Sequence, residues 1–317
     1  MAVSNKKIVV LGAGFAGLRC AKILSRFFPK QVILIDKNNY HLFTPELYEF
    51  NEAKVKLPIK IKAEFIQKEI ADYHELDYDY LVLATGAETN YYNIPGLKEN
   101  ALIFKNLADI EKLEKIPAGK IFIVGGGVTG VELAAELAVK LEGERIKLIE
   151  GSSCILASLE EDLRLKTERR LRKLGVEILC GYHLNKVEPG KIFFENGEIL
   201  NFDNLVWTGG VKPGEYKVDE RLMVQGEKNV FAIGDCASAN PGMIRPALEQ
   251  AEIAAINIKN SVKGKPLAVY RLKFSGIFIP LGGCYAVGKI GKIKLAGWSA
   301  WLTKEIINII YKKTYAG

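Results

Sequence analysis

Gly12-Ala13-Gly14-Phe15-Ala16-Gly17 and Gly125-Gly126-Gly127-Val128-Thr129-Gly130 are two copies of one pattern, each set between a short apolar run and a helical stretch. The runs before them, Lys7 to Leu11 and Lys120 to Val124, are rich in β-branched residues. Acids close the next apolar runs, Asp36 in VILID and Glu150 in IKLIE, 24 and 25 residues after the first glycine of each motif. In a strand-turn-helix-strand unit the first glycine permits a tight turn, the second lets the backbone approach a pyrophosphate, and the third lets helix and strand pack closely. The helix N-terminus then offers unpaired amides to the phosphates, and the acid at the end of the second strand accepts hydrogen bonds from a ribose diol. One such motif is weak evidence, but two in this setting predict two dinucleotide sites. A 2′-phosphate facing Glu150 would meet like-charge repulsion, which favours NADH over NADPH.

The rest of the composition agrees with an enzyme of two α/β units. At 317 residues and 49% hydrophobic the chain can build two cores, and no uncharged apolar run reaches the ~18 residues of a membrane span. The sequence enters its first strand directly, with no leader pattern, which implies a protein kept on the cytoplasmic side. Net charge is +7, but residues 259–317 hold eleven Lys and Arg against the single acid Glu305, so the basicity belongs to the C-terminal segment. No aromatic-basic recognition motif accompanies that charge, which argues against nucleic acid. Five scattered cysteines and three histidines show no metal-ligand or disulfide spacing, so no metal is expected.

Along the chain, the first unit continues through Tyr40-His41-Leu42-Phe43-Thr44-Pro45 to a buried strand, Leu81 to Ala84, ending at Thr85-Gly86. After a connection containing Pro95-Gly96 comes the second unit, with a helix from Glu160 to Leu174 and a strand from Leu205 to Thr208 ending at Gly209-Gly210. A further strand, Val230 to Ile233, delivers Gly234-Asp235, and a helix starts near Arg245. The predicted fold is therefore α/β with two Rossmann-like dinucleotide-binding domains, the second inserted into the first: 1–108 with 230–290, then 109–229. A short amphipathic helix in 291–317 follows.

This combination of motifs resembles the flavoproteins with two dinucleotide-binding domains, in which the outer domain binds FAD and the insert NAD(P)H. More narrowly, YHLFTPELY, TNYYNIPGL, VGGGVTGVELAAELA, VWTGGVKP and LGGCYAVGKI resemble the type II, single-subunit NADH:quinone oxidoreductases over nearly the whole chain. YHLFTP stands where the disulfide reductases of the superfamily carry their redox-active cysteine pair, which disfavours a dithiol mechanism.

The resemblance implies roles for particular residues. Gly12, Gly14 and Gly17, with Phe15 and Ala16 between them, would cradle the pyrophosphate of noncovalent FAD, with Asp36 on the ribose and Lys37 beside it. Thr85 and Gly86 would close over the flavin nucleotide, Gly234-Asp235 would meet the ribityl chain, and Thr44 and Pro45 would lie against the ring. The helix at Pro246-Ala247 would aim its N-terminus at the pyrimidine edge, where positive dipole density stabilises a reduced anion. In the insert, Gly125, Gly127 and Gly130 would take the NADH pyrophosphate and Glu150 its ribose, while Gly209 and Gly210 leave room for nicotinamide. Glu132, expected in the first turn of the inner helix, is the candidate catalytic residue; it reads either as a helix-start carboxylate or as a group that orients nicotinamide and serves proton transfer. Glu136 reads as structural.

Two departures concern the electron acceptor. Where the family typically has two glutamines four apart near the quinone, this chain has Arg245 and Glu249, which read either as a helix ion pair or as an altered acceptor site. Family members usually extend further, whereas here Trp298, Trp301, Leu302, Ile306, Ile309 and Ile310 share one face of a last helix, near several lysines. That pattern suits either a helix lying on an anionic lipid surface or a docking or dimer helix. The expected partners are thus NADH, a membrane quinone, an anionic lipid surface at the cytoplasmic face, and a second copy of the chain. Two other functions stay open: a sulfide:quinone oxidoreductase, for which Cys154 and Cys284 are the only thiols to consider, and a soluble reductase of a redox protein such as ferredoxin, drawn by the basic segment.

Overall fold

A computed structural model of the chain describes residues 6–212, 214–240, 242–273 and 276–316. Its first sheet has five strands in the order Val230–Ala232, Tyr80–Leu83, Ile8–Leu11, Val32–Asp36 and Glu64–Gln67, all parallel. Ile8–Leu11 and Tyr80–Leu83 are buried at every position, as strands covered on both faces must be, which is why both read as unbroken apolar runs. The second sheet repeats the plan: Glu177–Cys180, Ile146–Glu150, Ile121–Val124, Asn204–Trp207 and Leu102–Ile103, again parallel. Pairing of Val230–Ala232 with Tyr80–Leu83 closes the first sheet only after the chain has built the second. The expected boundary at 108 differs from the observed edge, because Leu102–Ile103 already pairs with Val206–Trp207 of the second sheet.

Helix Phe15–Phe27 packs on the first sheet together with helix Ile244–Val262, which begins one residue before the expected start. Leu18, Leu24, Ala251, Ala254 and Ile258 fill the contact, and at its edge Arg19 pairs with Glu252 at 2.6 Å. Truncating a fully buried leucine such as Leu24 would cost about 2–5 kcal/mol. The alanines matter equally, because they let two helix backbones approach over one sheet face.

The C-terminal part departs from the expected partition at 290. Strands Gly276–Pro280, Ala286–Ile290 and Ile293–Gly297 form one antiparallel sheet, so position 291 falls inside a hairpin. This sheet leans on the second unit. Arg170 donates to the carbonyls of Leu281 and Gly282, both at 3.1 Å, and Lys289 pairs with Glu160 at 2.6 Å. Ile279, Leu281 and Val287 share a core with Leu137, Ala135 and Leu47. Helix Trp298–Tyr311 follows the last strand and lies on the segment around Thr44–Glu49. No helix among the described residues is long and apolar enough to cross a membrane.

Candidate active site

The two glycine motifs fold into the same object. Helices Phe15–Phe27 and Val128–Lys140 start at Gly14 and Gly127 with no side-chain cap and no acid in the first turn, so their leading amides are left for a ligand. A Cβ on Gly14 or Gly127 would meet nothing within 4 Å, whereas one on Gly17 or Gly130 would run into the carbonyl of Gly12 or Gly125. Space thus opens on one side of each loop and closes on the side where the helix packs. Gly12 and Gly125 hold φ of +105° and +117°, a region that side-chain-bearing residues avoid.

The two acids are fixed alike. Asp36 accepts from the Ala13 amide at 2.6 Å and the Asn38 amide at 2.7 Å; Glu150 accepts from Gly126 at 2.6 Å and Ser152 at 2.7 Å. Each carboxylate is braced against its own turn and keeps lone pairs able to accept further hydrogen bonds. Beside Glu150 lies a cavity of about 420 Å³ lined by Gly125, Ser152, Tyr182, His183, Trp207 and Gly209, among others. Lys37 is exposed and pairs with Glu69 at 3.5 Å. A Cβ on Gly209 would run into the Trp207 indole and one on Gly210 would stand 2.7 Å from the Tyr92 hydroxyl, while Gly209 itself borders the cavity. Glycine is needed there so that these two aromatic side chains fit.

At the strand tips of the first sheet, Thr85 and Gly86 follow Tyr80–Leu83, and Asp235 follows Val230–Ala232 in a short 3-10 turn. Gly234 sits against Ala16 of the first fingerprint helix, with 3.1 Å between the Ala16 side chain and a Cβ placed there. Its amide donates to buried Gln250 at 2.8 Å, which ties the turn to the helix carrying Pro246 and Ala247. Burial raises the Asp235 carboxyl above the usual carboxylate range, and Lys105 opposes that shift. Arg245 and Glu249 form the helix ion pair, at 2.8 Å, with Arg245 well exposed.

Glu132 lies at the fifth position of helix Val128–Lys140 and so in its second turn, not its first. The helix starts at Val128, and the helix-start reading of this acid fails with it. Burial pushes its carboxyl up to about 8, with Lys304 pulling the other way. Its surroundings come from segments distant in sequence. Tyr48 is buried in the 3-10 helix Thr44–Glu49 and accepts from Lys304 at 2.5 Å; the Tyr48 hydroxyl feels the Glu132 charge. Glu136 pairs with Lys140 one turn on, at 3.9 Å.

The last helix turns its polar side inward. Besides Lys304, buried Asn308 donates to Glu46 at 3.1 Å, Lys312 reaches the other Glu46 oxygen at 2.5 Å, and Tyr311 bonds His41 at 3.1 Å. Tyr311 stacks on Phe43 with centroids 5.2 Å apart, and burial lowers the His41 imidazole to about 4, which keeps it neutral. Outward face Trp298, Ile306, Ile307, Ile309 and Ile310, between 44% and 62% exposed. Trp301 and Leu302, expected on the same face, are half-buried. The sequence patterns did not point to Lys304, Tyr48 or Lys105.

All five cysteines are free. Cys154 lies beside Cys180, whose sulfur accepts from the Ile155 amide, and Cys284 is exposed between two C-terminal strands.

Residues 48–254 match the family described as pyridine nucleotide-disulphide oxidoreductase. Demethylphylloquinone reductase NdbB of Synechocystis sp. is 30% identical, over 97% of this chain and 92% of that protein. A type II NADH:quinone oxidoreductase of Staphylococcus saprophyticus is 26% identical over 97% and 95%. The alignment with the Synechocystis protein spans 372 positions, more than this chain has residues, so the extra residues of that relative lie within the shared region. In fold the chain is similar to NDH2 from Plasmodium falciparum in complex with NADH, with a TM-score of 0.79 at 19% identity over 98% of this chain and 99% of that one. It is also similar in fold to a sulfide:quinone oxidoreductase from Aquifex aeolicus, with a TM-score of 0.82 at 18% identity over 98% and 91%.

Proposed function

The chain belongs to the pyridine nucleotide-disulphide oxidoreductases, and from that premise we propose that it is a type II NADH:quinone oxidoreductase, passing two electrons from NADH through a flavin to a quinone. The observation that carries this reading is the pair of equivalent cradles, each with its acid braced on its own turn. We infer that the first holds noncovalent FAD, in the domain formed by both ends of the first sheet, and the second holds NADH. A bound flavin supplies acceptance of hydride and its release as electrons. The protein then has to hold the two ring systems together, exclude water and manage protons.

Conversion of NADH and quinone to NAD⁺ and quinol consumes one proton beyond the transferred hydride. Glu132 is suited to deliver it. With its carboxyl near 8 it is mostly protonated at neutral pH, and Tyr48 and Lys304 stand beside it. Thr44 and Pro45 open the 3-10 helix that bears Tyr48, so this acid and the flavin-ring contacts belong to one neighbourhood. Glu150 favours NADH, since both its oxygens already hold backbone amides and a 2′-phosphate would face that fixed charge.

The inverted last helix supports quinone uptake from a bilayer. Its polar side is satisfied by Glu46, Tyr48 and His41, which leaves an isoleucine and tryptophan face outward, with Lys313 exposed just beyond the helix. We infer peripheral attachment to the cytoplasmic face of a membrane, with a second copy of the chain as the competing occupant of that face. Sulfide oxidation has less support, since Cys154 lies by the Glu150 loop next to Cys180 while Cys284 is in an exposed turn. Steady-state assays test the reading: NADH with a short-chain quinone should turn over, whereas sulfide as donor should not. Salt-sensitive turnover with an acidic redox protein in place of quinone would favour the soluble reductase.

A further inference from the structure

Tyr92 stands at the cavity beside Glu150 in a backbone conformation that large side chains avoid. It and Asn93 hold φ of +50° and +55° in succession, a region open to asparagine but costly for tyrosine. Such strain persists only where the surroundings impose it, and the neighbouring strand end does so here. The Asn90 amide donates to the Gly210 carbonyl at 3.2 Å, and the Lys212 amide donates to the Glu88 carbonyl at 2.8 Å. The Trp207 indole N–H donates to the Asn90 carbonyl at 2.9 Å, and the Asn90 side chain accepts from the Tyr92 amide, also at 2.9 Å. The segment is thus stitched to the chain that follows strand Asn204–Trp207, and Tyr92 is held by that stitching.

The ring gains little burial in return. It is 57% exposed, meets the Trp207 indole edge-on with centroids 6.3 Å apart, and lines the cavity together with Gly125, Glu150, Trp207 and Gly209. A strained backbone that presents an aromatic ring to a cavity rather than to the core suits an occupant that covers the ring.

The order of strands says which part of a dinucleotide that occupant would be. Ile121–Val124 lies between Ile146–Glu150 and Asn204–Trp207, and all three run parallel, so Glu150, Gly125 and Gly209 mark successive tips along one edge of the sheet. A dinucleotide with its adenosine ribose on Glu150 and its pyrophosphate on the Gly125 loop directs its other half to the third tip, where Tyr92 is anchored. Resting on the assignment of NADH to the second cradle, we propose that Tyr92 is a binding residue for the nicotinamide-ribose half of NADH, its ring packing against that half when the nucleotide fills the cavity.

Anaerobic rapid mixing over a range of NADH concentrations gives the NADH dissociation constant from saturation of the flavin-reduction rate. AMP, which has only the adenosine half, gives a competitive inhibition constant in the same assay. Tyr92→Asn loses the ring but accepts the left-handed backbone, so it should melt no lower than the wild type. It should weaken NADH by roughly 10-fold and leave the AMP constant unchanged, while Tyr92→Phe should bind NADH as the wild type does. Equal loss for NADH and AMP, or no loss for either, would overturn the role, as would Tyr92→Phe proving as weak as Tyr92→Asn. A wild-type flavin that NADH does not reduce would instead overturn the NADH assignment, and this role with it.

Discussion

Gly130→Ala and Gly17→Ala apply the same perturbation to the two cradles and should have opposite consequences. A Cβ at Gly130 would overlap the Gly125 carbonyl and stand 2.6 Å from Thr208 Oγ1, about 0.8 Å inside ordinary contact. Thr208 cannot retreat freely, because its hydroxyl already donates to the carbonyls of Val124 and Gly125 at 3.0 and 3.1 Å. The helix start must therefore move by ~1 Å, and a misplacement of that size costs on the order of 10²-fold in reaction rate. The methyl group itself destabilises by about 1–3 kcal/mol as overpacking. At Gly17 the added atom would meet the Gly12 carbonyl and come to 3.0 Å from the Ala84 side chain. The assay measures flavin per chain after purification, then the second-order rate of flavin reduction by NADH under anaerobic rapid mixing. Gly130→Ala should purify with full flavin and be reduced ~10²-fold more slowly, while Gly17→Ala should purify with little flavin. Loss of flavin in Gly130→Ala with normal occupancy in Gly17→Ala would reverse the nucleotide assignment and refute the reasoning.

Further outcomes follow from the same geometry. Glu132→Gln should abolish the step in the pH profile of turnover near pH 8. Its stability should also hold up as pH rises: a carboxyl raised by folding binds more protons folded than unfolded, so the wild type loses stability between the ordinary glutamate value and about 8. Melting curves of the two proteins should therefore diverge with rising pH, and parallel curves would remove the argument from a raised carboxyl. Replacing Ile306, Ile309 and Ile310 by serine should prevent co-sedimentation with anionic vesicles while leaving NADH-driven reduction of a water-soluble quinone intact. An unchanged vesicle partition together with a shift to smaller species in sedimentation would assign the face to self-association. Arg245→Gln with Glu249→Gln should change the KM for quinone and leave flavin reduction by NADH unaltered; an equal change in both half-reactions would make the pair structural.

What could be read in the sequence was local. The glycine spacings and the acids that answer them lie within single strand-turn-helix-strand units, so Gly12 to Asp36 and Gly125 to Glu150 specify their own geometry. The parallel sheets followed from buried apolar runs at the expected places. Glu132 was misplaced by one turn because a glycine-rich loop gives no sharp signal of where its helix starts. That Trp207 and Tyr92 pack against the Cβ positions of Gly209 and Gly210 was not visible in the motif, because a glycine does not reveal which neighbouring side chain occupies the position it vacates.

The remainder depends on long-range packing. Lys304 and Tyr48 are 256 positions apart, and Asn308 and Glu46 are 262 apart, so no periodicity in either segment announces the contact. The apolar face of the last helix was visible as a stripe, but which face turns inward was decided by the buried acceptors Glu46, Tyr48 and His41, which require donors.

The measurement that bears most directly on the central claim is anaerobic stopped-flow of the yellow protein, following the visible flavin band through two successive mixings. NADH should bleach it rapidly and NADPH should not, and a short-chain quinone should then restore it rapidly. Bleaching by NADH with no reoxidation by quinone would contradict the quinone assignment, and bleaching by sulfide but not by NADH would contradict the assignment of NADH to the second cradle.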